Sequence, residues 1–188
     1  MTGSKQLKKV AEYAPPRLTL CAIGVGLGVL AGLANSLLGI DTSFTSSLAG
    51  WLLASIAVIV LLHEGTHASV AALLGHKPLF GLKPPLVYVT LTKKVPRVHF
   101  MMVSIAPLVV LDVLFVILYA GGRLKIFCDL SLIINTIGSV GDMWVVLKLI
   151  SAPTGSFIQD TRTGFEVWTS DDGQTALGEI EEGLRHGS

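Results

Sequence analysis

Charge is what this chain has least of. Of its 188 residues only 14% are Asp, Glu, Lys or Arg, against about 25% in soluble domains. A formal net charge of +1 leaves no basic face for a nucleic acid, and that class of partner is excluded. Two cysteines, Cys21 and Cys128, are too few for a disulfide framework. Lying in or beside apolar runs, they read as small buried hydrophobes. No A-x-A-like cleavage end follows the first apolar run, so no cleavable signal is expected. No internal repeat is evident.

What the chain has in quantity is long apolar stretches. Hydrophobic residues make up 51% and the mean hydropathy is +0.68. The expected fold is an all-α integral membrane protein of four transmembrane helices, about 18–40, 48–74, 100–120 and 124–150, each near or above the ~20 residues a span needs. These form one domain over 1–150, followed by a polar tail over 151–188. Residues 1–17 read as a solvated basic arm ended by Pro15-Pro16. Gly24, Gly28 and Gly32 recur every four residues on the first helix, a close-packing seam. Gly75 is placed to cap the second helix. Between the second and third helices, Leu86–Leu91 is rich in β-branched and aromatic residues and predicts a strand of a short hairpin. That hairpin is either structural, lying on the membrane surface, or an edge that takes up an unwound substrate by strand addition. In the tail, 157–159 and 164–168 predict a second hairpin. Beyond Asp171-Asp172-Gly173 the chain turns acidic.

Inside the second apolar run lies His63-Glu64-Gly65-Thr66-His67. Two histidines four apart share one helix face. Two neutral imidazoles supply half of a tetrahedral zinc shell. The adjacent glutamate sits where a general base for a metal-activated water is needed. Ionisable residues are expensive in hydrocarbon and functional there by default.

Basic residues precede the first helix and cluster between the second and third, so the positive-inside rule puts both segments, and both termini, in the cytoplasm. His63 then lies roughly 17 Å, His67 about 10 Å and Asp142 roughly 12 Å from that face at 1.5 Å per residue. Matching depth makes Asp142 the expected third ligand. Gly138 and Gly141 allow its helix a close approach. Asp112, inside the third helix with Pro107, is the alternative third ligand or a partner of a ligand histidine. Asp129 lies too far towards the outer end. Asn135 is either an interhelical hydrogen bond or an oxyanion or substrate contact.

The metal motif, followed by Leu73-Leu74-Gly75-His76-Lys77-Pro78, Ile105-Ala106-Pro107 and Asn135-Thr136-Ile137-Gly138-Ser139-Val140-Gly141-Asp142, resembles a family of small membrane zincin peptidases, over roughly residues 50–168. The family is similar in plan to site-2 intramembrane proteases. The chain departs from their third-ligand pattern, since Met143-Trp144 follows Asp142. The resemblance implies zinc on His63, His67 and Asp142, with Glu64 as catalytic base.

The expected activity is zinc-dependent intramembrane hydrolysis of peptide bonds, in membrane-associated or transmembrane-helix substrates, by a multi-pass cell-membrane protein whose other partner is the bilayer. A polar cleft lined by Thr66, Ser69 and residues 77–99 should admit water. The alternative is a non-catalytic metal-binding scaffold or metal-handling protein, with four protein ligands and His76 or His99 recruited.

Overall fold

A computed structural model of the chain describes residues 7–37, 46–83, 86–122, 124–161 and 163–170. Predicted features at 1–6, 38–45 and 171–188, including the acidic tail, lie outside them. The element order is β1 (Leu7–Tyr13), α1 (Arg17–Leu37), α2 (Ser46–Leu73), β2 (Pro78–Lys83), β3 (Leu86–Leu91), β4 (Val95–Pro96), α3 (Arg97–Ala120), α4 (Lys125–Gly138), α5 (Val140–Ile150), β5 (Phe157–Asp160) and β6 (Phe165–Ser170).

Among the described residues five helices form where four were expected, because the 124–150 helix breaks at Ser139. α4 and α5 meet there at a bend of 42°. Ser139 takes a bridge-region backbone (φ −76°, ψ −2°), and its hydroxyl donates to the Asn135 carbonyl at 2.8 Å. A serine bonding back one turn competes with the helix ladder and bends it, and Gly138 and Gly141 on either side weaken the helix further.

α2 and α3 are long and apolar enough to cross a membrane, with mean hydropathies of 1.8 and 2.7, and the bent α4–α5 pair makes up to a third span. α1 carries a shorter apolar run over Arg17–Leu33. α2 ends as its sequence predicts. Gly75 takes φ +82°, and the amides of His76 and Gly75 donate to the Ala71 and Ala72 carbonyls, both at 2.9 Å. This double cap needs a left-handed residue that only glycine adopts cheaply.

The glycine seam on α1 is half realised. A Cβ at Gly24 or Gly28 would come within 3.2 Å or 3.0 Å of Ile137 on α4, whereas Gly32 faces open space.

The described residues also form two antiparallel sheets: β2–β3, and a four-stranded sheet in the order β1-β6-β5-β4. The basic arm is corrected here. Residues 7–13 are a strand paired with β6 in the register Leu7↔Ser170 to Tyr13↔Phe165. The segments before α1 and after α5 are therefore at one end of the helices. β6 alternates buried and half-buried residues, and Phe165, Val167 and Ile158 point into a core shared with Ala71, Val103 and Leu149 of the helices. A second cluster, Ile59, Leu111, Phe115 and Cys128, fills the bundle. Cys128 is buried as expected, whereas Cys21 is exposed and the two are not disulfide-linked. Arg97 ties the sheet end to α5: its guanidinium donates to the carbonyls of Leu149, at 3.4 Å, and Ala152. A cation on the last carbonyls of a helix satisfies orphan acceptors and suits the helix dipole.

Candidate metal centre

His63 and His67 lie one turn apart on α2, with their rings 4.9 Å apart and nearly perpendicular. Both face Asp142, in the first turn of α5. Asp142 Oδ2 lies 3.1 Å from His63 Nε2 and 3.5 Å from His67 Nε2. Among the described residues, these three form the group of at least three His, Cys, Asp or Glu side chains able to hold a metal ion, with one ligand atom from each within 4.8 Å of the others.

The other nitrogen of each ring is already committed. His67 Nδ1 donates to the Val103 carbonyl at 2.8 Å. That carbonyl is available because its helical partner four residues on is Pro107, which has no N–H. The proline that interrupts the α3 ladder thereby supplies the acceptor that orients a histidine on α2. His63 Nδ1 donates to Asn135 Oδ1 at 3.0 Å. The Asn135 amide nitrogen in turn donates to the Pro107 carbonyl at 3.0 Å and to Asp112 Oδ1 at 2.8 Å. Asp112 Oδ2 accepts from the Thr136 hydroxyl at 3.2 Å.

These bonds set the tautomers. A carbonyl or amide oxygen can only accept, so each Nδ1 carries the proton and each neutral Nε2 carries a lone pair. Two lone pairs and a carboxylate oxygen then converge with no proton of their own to share. Such a cluster of acceptors is stabilised by a shared cation, either a metal ion or a further proton on one of the imidazoles.

The structure places Asn135 and Asp112 behind the ligands. Asn135 is fully buried and its amide is used up between His63, Pro107 and Asp112. It makes the interhelical bond. Asp112 stands behind Asn135, from which it accepts at 2.8 Å, and outside the three-residue group. Asn135 and Asp142, seven residues apart, grip the two sides of the His63 ring from either side of the break at Ser139.

Glu64 is held by the hairpin. Its Oε2 accepts the Val89 N–H of β3 at 2.8 Å. Sequence reasoning missed this contact, because the hairpin returns beside α2 only through tertiary packing. The Thr66 and Ser69 hydroxyls donate back to the carbonyls of Leu62 and Gly65, both at 2.7 Å. A cavity of about 290 Å³ opens beside α5, lined by Gly141, Trp144 and Val145 with Phe100, Asp160 and Phe165. Burial pushes the Asp160 carboxyl above its ordinary range, against the hydrogen bonds it makes to Thr90 and Leu91.

His76 and His99 bond each other at 2.9 Å, Nε2 to Nδ1, and neither belongs to the metal group. The fourth protein ligand expected of a scaffold is thus not supplied by either. The His76 imidazole is held below its usual pKa by burial and by His99.

The bonds behind the ligands carry a prediction. Asn135→Ala removes the acceptor of His63 and leaves Asp112 facing a gap. Outer partners of metal-bound histidines are worth 10–100-fold in affinity as a rough rule. A zinc affinity reduced by that order is the expected result of competition titration against a chromophoric chelator. An unchanged affinity would mean that the ring is held by other contacts.

A sequence profile of the family described as "Putative zincin peptidase" matches residues 56–157, more than half of the chain. A protein of Pyrococcus woesei, described as an uncharacterized 24.7 kDa protein in the gap 5′ region, is 30% identical over 149 residues, 77% of this chain and 66% of that protein. The chain thus spans just under two thirds of that relative's length. No solved structure matches the chain.

Proposed function

The chain belongs to this zincin peptidase family, and from that premise we propose that it is a zinc-dependent endopeptidase whose active site lies within the membrane. Both termini are on the cytoplasmic side, with α1 and the bent α4–α5 pair completing four spans. The observation that carries the proposal is the convergence of His63 Nε2, His67 Nε2 and Asp142 Oδ2. Their separations of 3.1 and 3.5 Å bracket the ~3.3 Å between two ligand atoms of a tetrahedral zinc with bonds near 2.0–2.1 Å. The donor set fits the metal in identity, tautomer and spacing. Zinc held there would supply Lewis acidity to a peptide carbonyl and lower the pKa of a water towards ~7.

The protein's own residues divide the remaining work. Asn135 and the Val103 carbonyl keep both rings in the ligating tautomer. Glu64 holds one carboxylate oxygen on the Val89 amide. The other takes the proton of the attacking water and delivers it to the leaving amine nitrogen as the C–N bond breaks. The substrate is a peptide segment of a membrane-associated or transmembrane protein, unwound where it is cut, since helical amides are hydrogen-bonded away from attack. Beyond the Val89 amide that Glu64 takes, the outer edge of β3 is suited to hold such a segment in extended form.

The non-catalytic scaffold differs in one respect, a closed four-ligand shell. Three ligands from the described residues, with His76 and His99 engaged elsewhere, favour the enzyme. The deciding experiment is metal removal. Protein stripped by a chelator should lose hydrolysis of an unstructured membrane-anchored peptide and regain it with one equivalent of zinc. A metal-bound protein that hydrolyses none of a broad panel of anchored peptides, with four protein ligands by X-ray absorption, would establish the scaffold.

A further inference from the structure

The β2–β3 hairpin exposes large apolar side chains on both of its faces. In the register Phe80↔Val89 and Leu82↔Val87, Phe80 and Leu82 share one face, and they are 64% and 73% exposed. Leu79 and Tyr88 occupy the other, 51% and 45% exposed. The Tyr88 ring covers Gly81 so closely that a Cβ there would lie 2.2 Å from it. A hairpin resting on the surface would turn one face to water and make it polar.

The hairpin's depth follows from α2. At 1.5 Å per residue, the 28 residues of α2 measure roughly 42 Å, some 12 Å more than a ~30 Å hydrocarbon layer. Glu64 lies nine residues before Leu73, so roughly 14 Å from that end. Even with the whole surplus outside at this end, Glu64 remains inside the hydrocarbon. Its side chain tilts towards the helix N-terminus, which is deeper still. Val89 donates to that carboxylate, so β3 is at the same depth. The strand runs inward along α2: Leu91 packs with Ala71 near the helix end, and Val89, two residues on, reaches Glu64. The residues beyond Val89 towards the turn lie deeper than Leu91.

We propose that the hairpin enters the bilayer and that the side chains of Leu79, Phe80, Leu82 and Tyr88 contact lipid acyl chains, continuous with the exposed apolar faces of α2 and α3. This rests on the reading of those two helices as membrane spans. The hairpin then walls the catalytic base from lipid on one side. Its β3 edge is covered by α2 at Glu64, which satisfies an amide that bare lipid could not. One charge, Lys83, lies in the two strands. At the turn end, the deepest part of the hairpin, that charge costs up to about 3 kcal/mol.

The test is site-directed spin labelling of the full chain in lipid nanodiscs. Leu79→Cys, Phe80→Cys and Leu82→Cys are made with exposed Cys21 replaced by alanine and buried Cys128 left in place. Val110→Cys, on an exposed face of α3, is the lipid control, and Thr154→Cys, exposed after α5, is the water control. The expected result is an oxygen-to-nickel-chelate collision ratio above one at 79, 80 and 82, as at Val110→Cys, and below one at Thr154→Cys. Nickel-chelate dominance at 80 and 82 would overturn the proposal and put the hairpin in water. Exclusion of both quenchers would overturn it in favour of a protein cover, such as a second copy. A water-like Val110→Cys would overturn the span reading itself, which separates the two failures. Without any substitution, photoactivated diazirine lipids should leave adducts on residues 79–82 as on α3, and adducts on α3 alone would refute acyl contact.

Discussion

Glu64→Gln is expected to leave zinc content unchanged and to reduce peptide hydrolysis by about 10²–10⁴-fold, the usual worth of a positioned general base. The substitution is nearly isosteric, and the glutamine Oε1 can still accept the Val89 amide, so the hairpin contact survives. What disappears is the ability to take a proton from water and return it to the amine. Paired measurements of metal stoichiometry and turnover on one preparation separate the outcomes. Undiminished turnover would remove Glu64 from the mechanism. Loss of zinc with loss of turnover would make its role structural.

Asp142→Asn should act in the opposite sense, on the metal before the chemistry. It keeps the shape of the side chain but removes the negative charge that balances zinc. The expected loss of affinity exceeds the 10–100-fold, as a rough rule, of an outer-partner change, and activity falls with occupancy. Asp112→Asn provides the contrast. Its carboxylate lies behind Asn135 and touches neither the site nor the ligand atoms, so its effect should stay at or below that of Asn135→Ala. Atomic absorption on the two variants decides between them. A zinc-free Asp112→Asn beside a zinc-loaded Asp142→Asn would reverse the assignment of the third ligand.

Parts of this geometry are written locally in the chain. The two histidines share a face because they are four apart on a helix whose apolar run leaves no other conformation. Gly75 ends α2 where its left-handed preference predicts. Asp142 could be matched to the histidines by depth alone, since two spans running in the same direction end at a common face, from which each residue's depth is counted. The β5–β6 hairpin was visible in its alternation. The strand at 7–13 was not. Its lysines read as a solvated arm, and only pairing with β6, across more than 150 residues, makes it a strand. Lys9 is held there by Glu12 at 3.0 Å and Glu166 at 3.1 Å, the second a partner that no local pattern announces.

The break at Ser139 shows the same division. The glycines and serine that weaken the helix are legible in the chain, but the bend is decided by α4 and α5 holding His63 from two sides. Pro107 offered a clue that points only half way. A proline inside a helix frees the carbonyl four residues before it, which the sequence states. That the carbonyl is claimed by His67 depends on how α2 packs against α3.

The sequence by itself determined the apolar helices, the two histidines on one face and the adjacent glutamate, because periodicity and hydropathy act through neighbours in the chain. Tertiary structure alone decided which nitrogen of each imidazole faces the site, that Asn135 and Asp112 stand behind it, and that β3 meets Glu64. Those features are hydrogen bonds between elements distant in sequence, and their partners are selected by packing rather than by spacing.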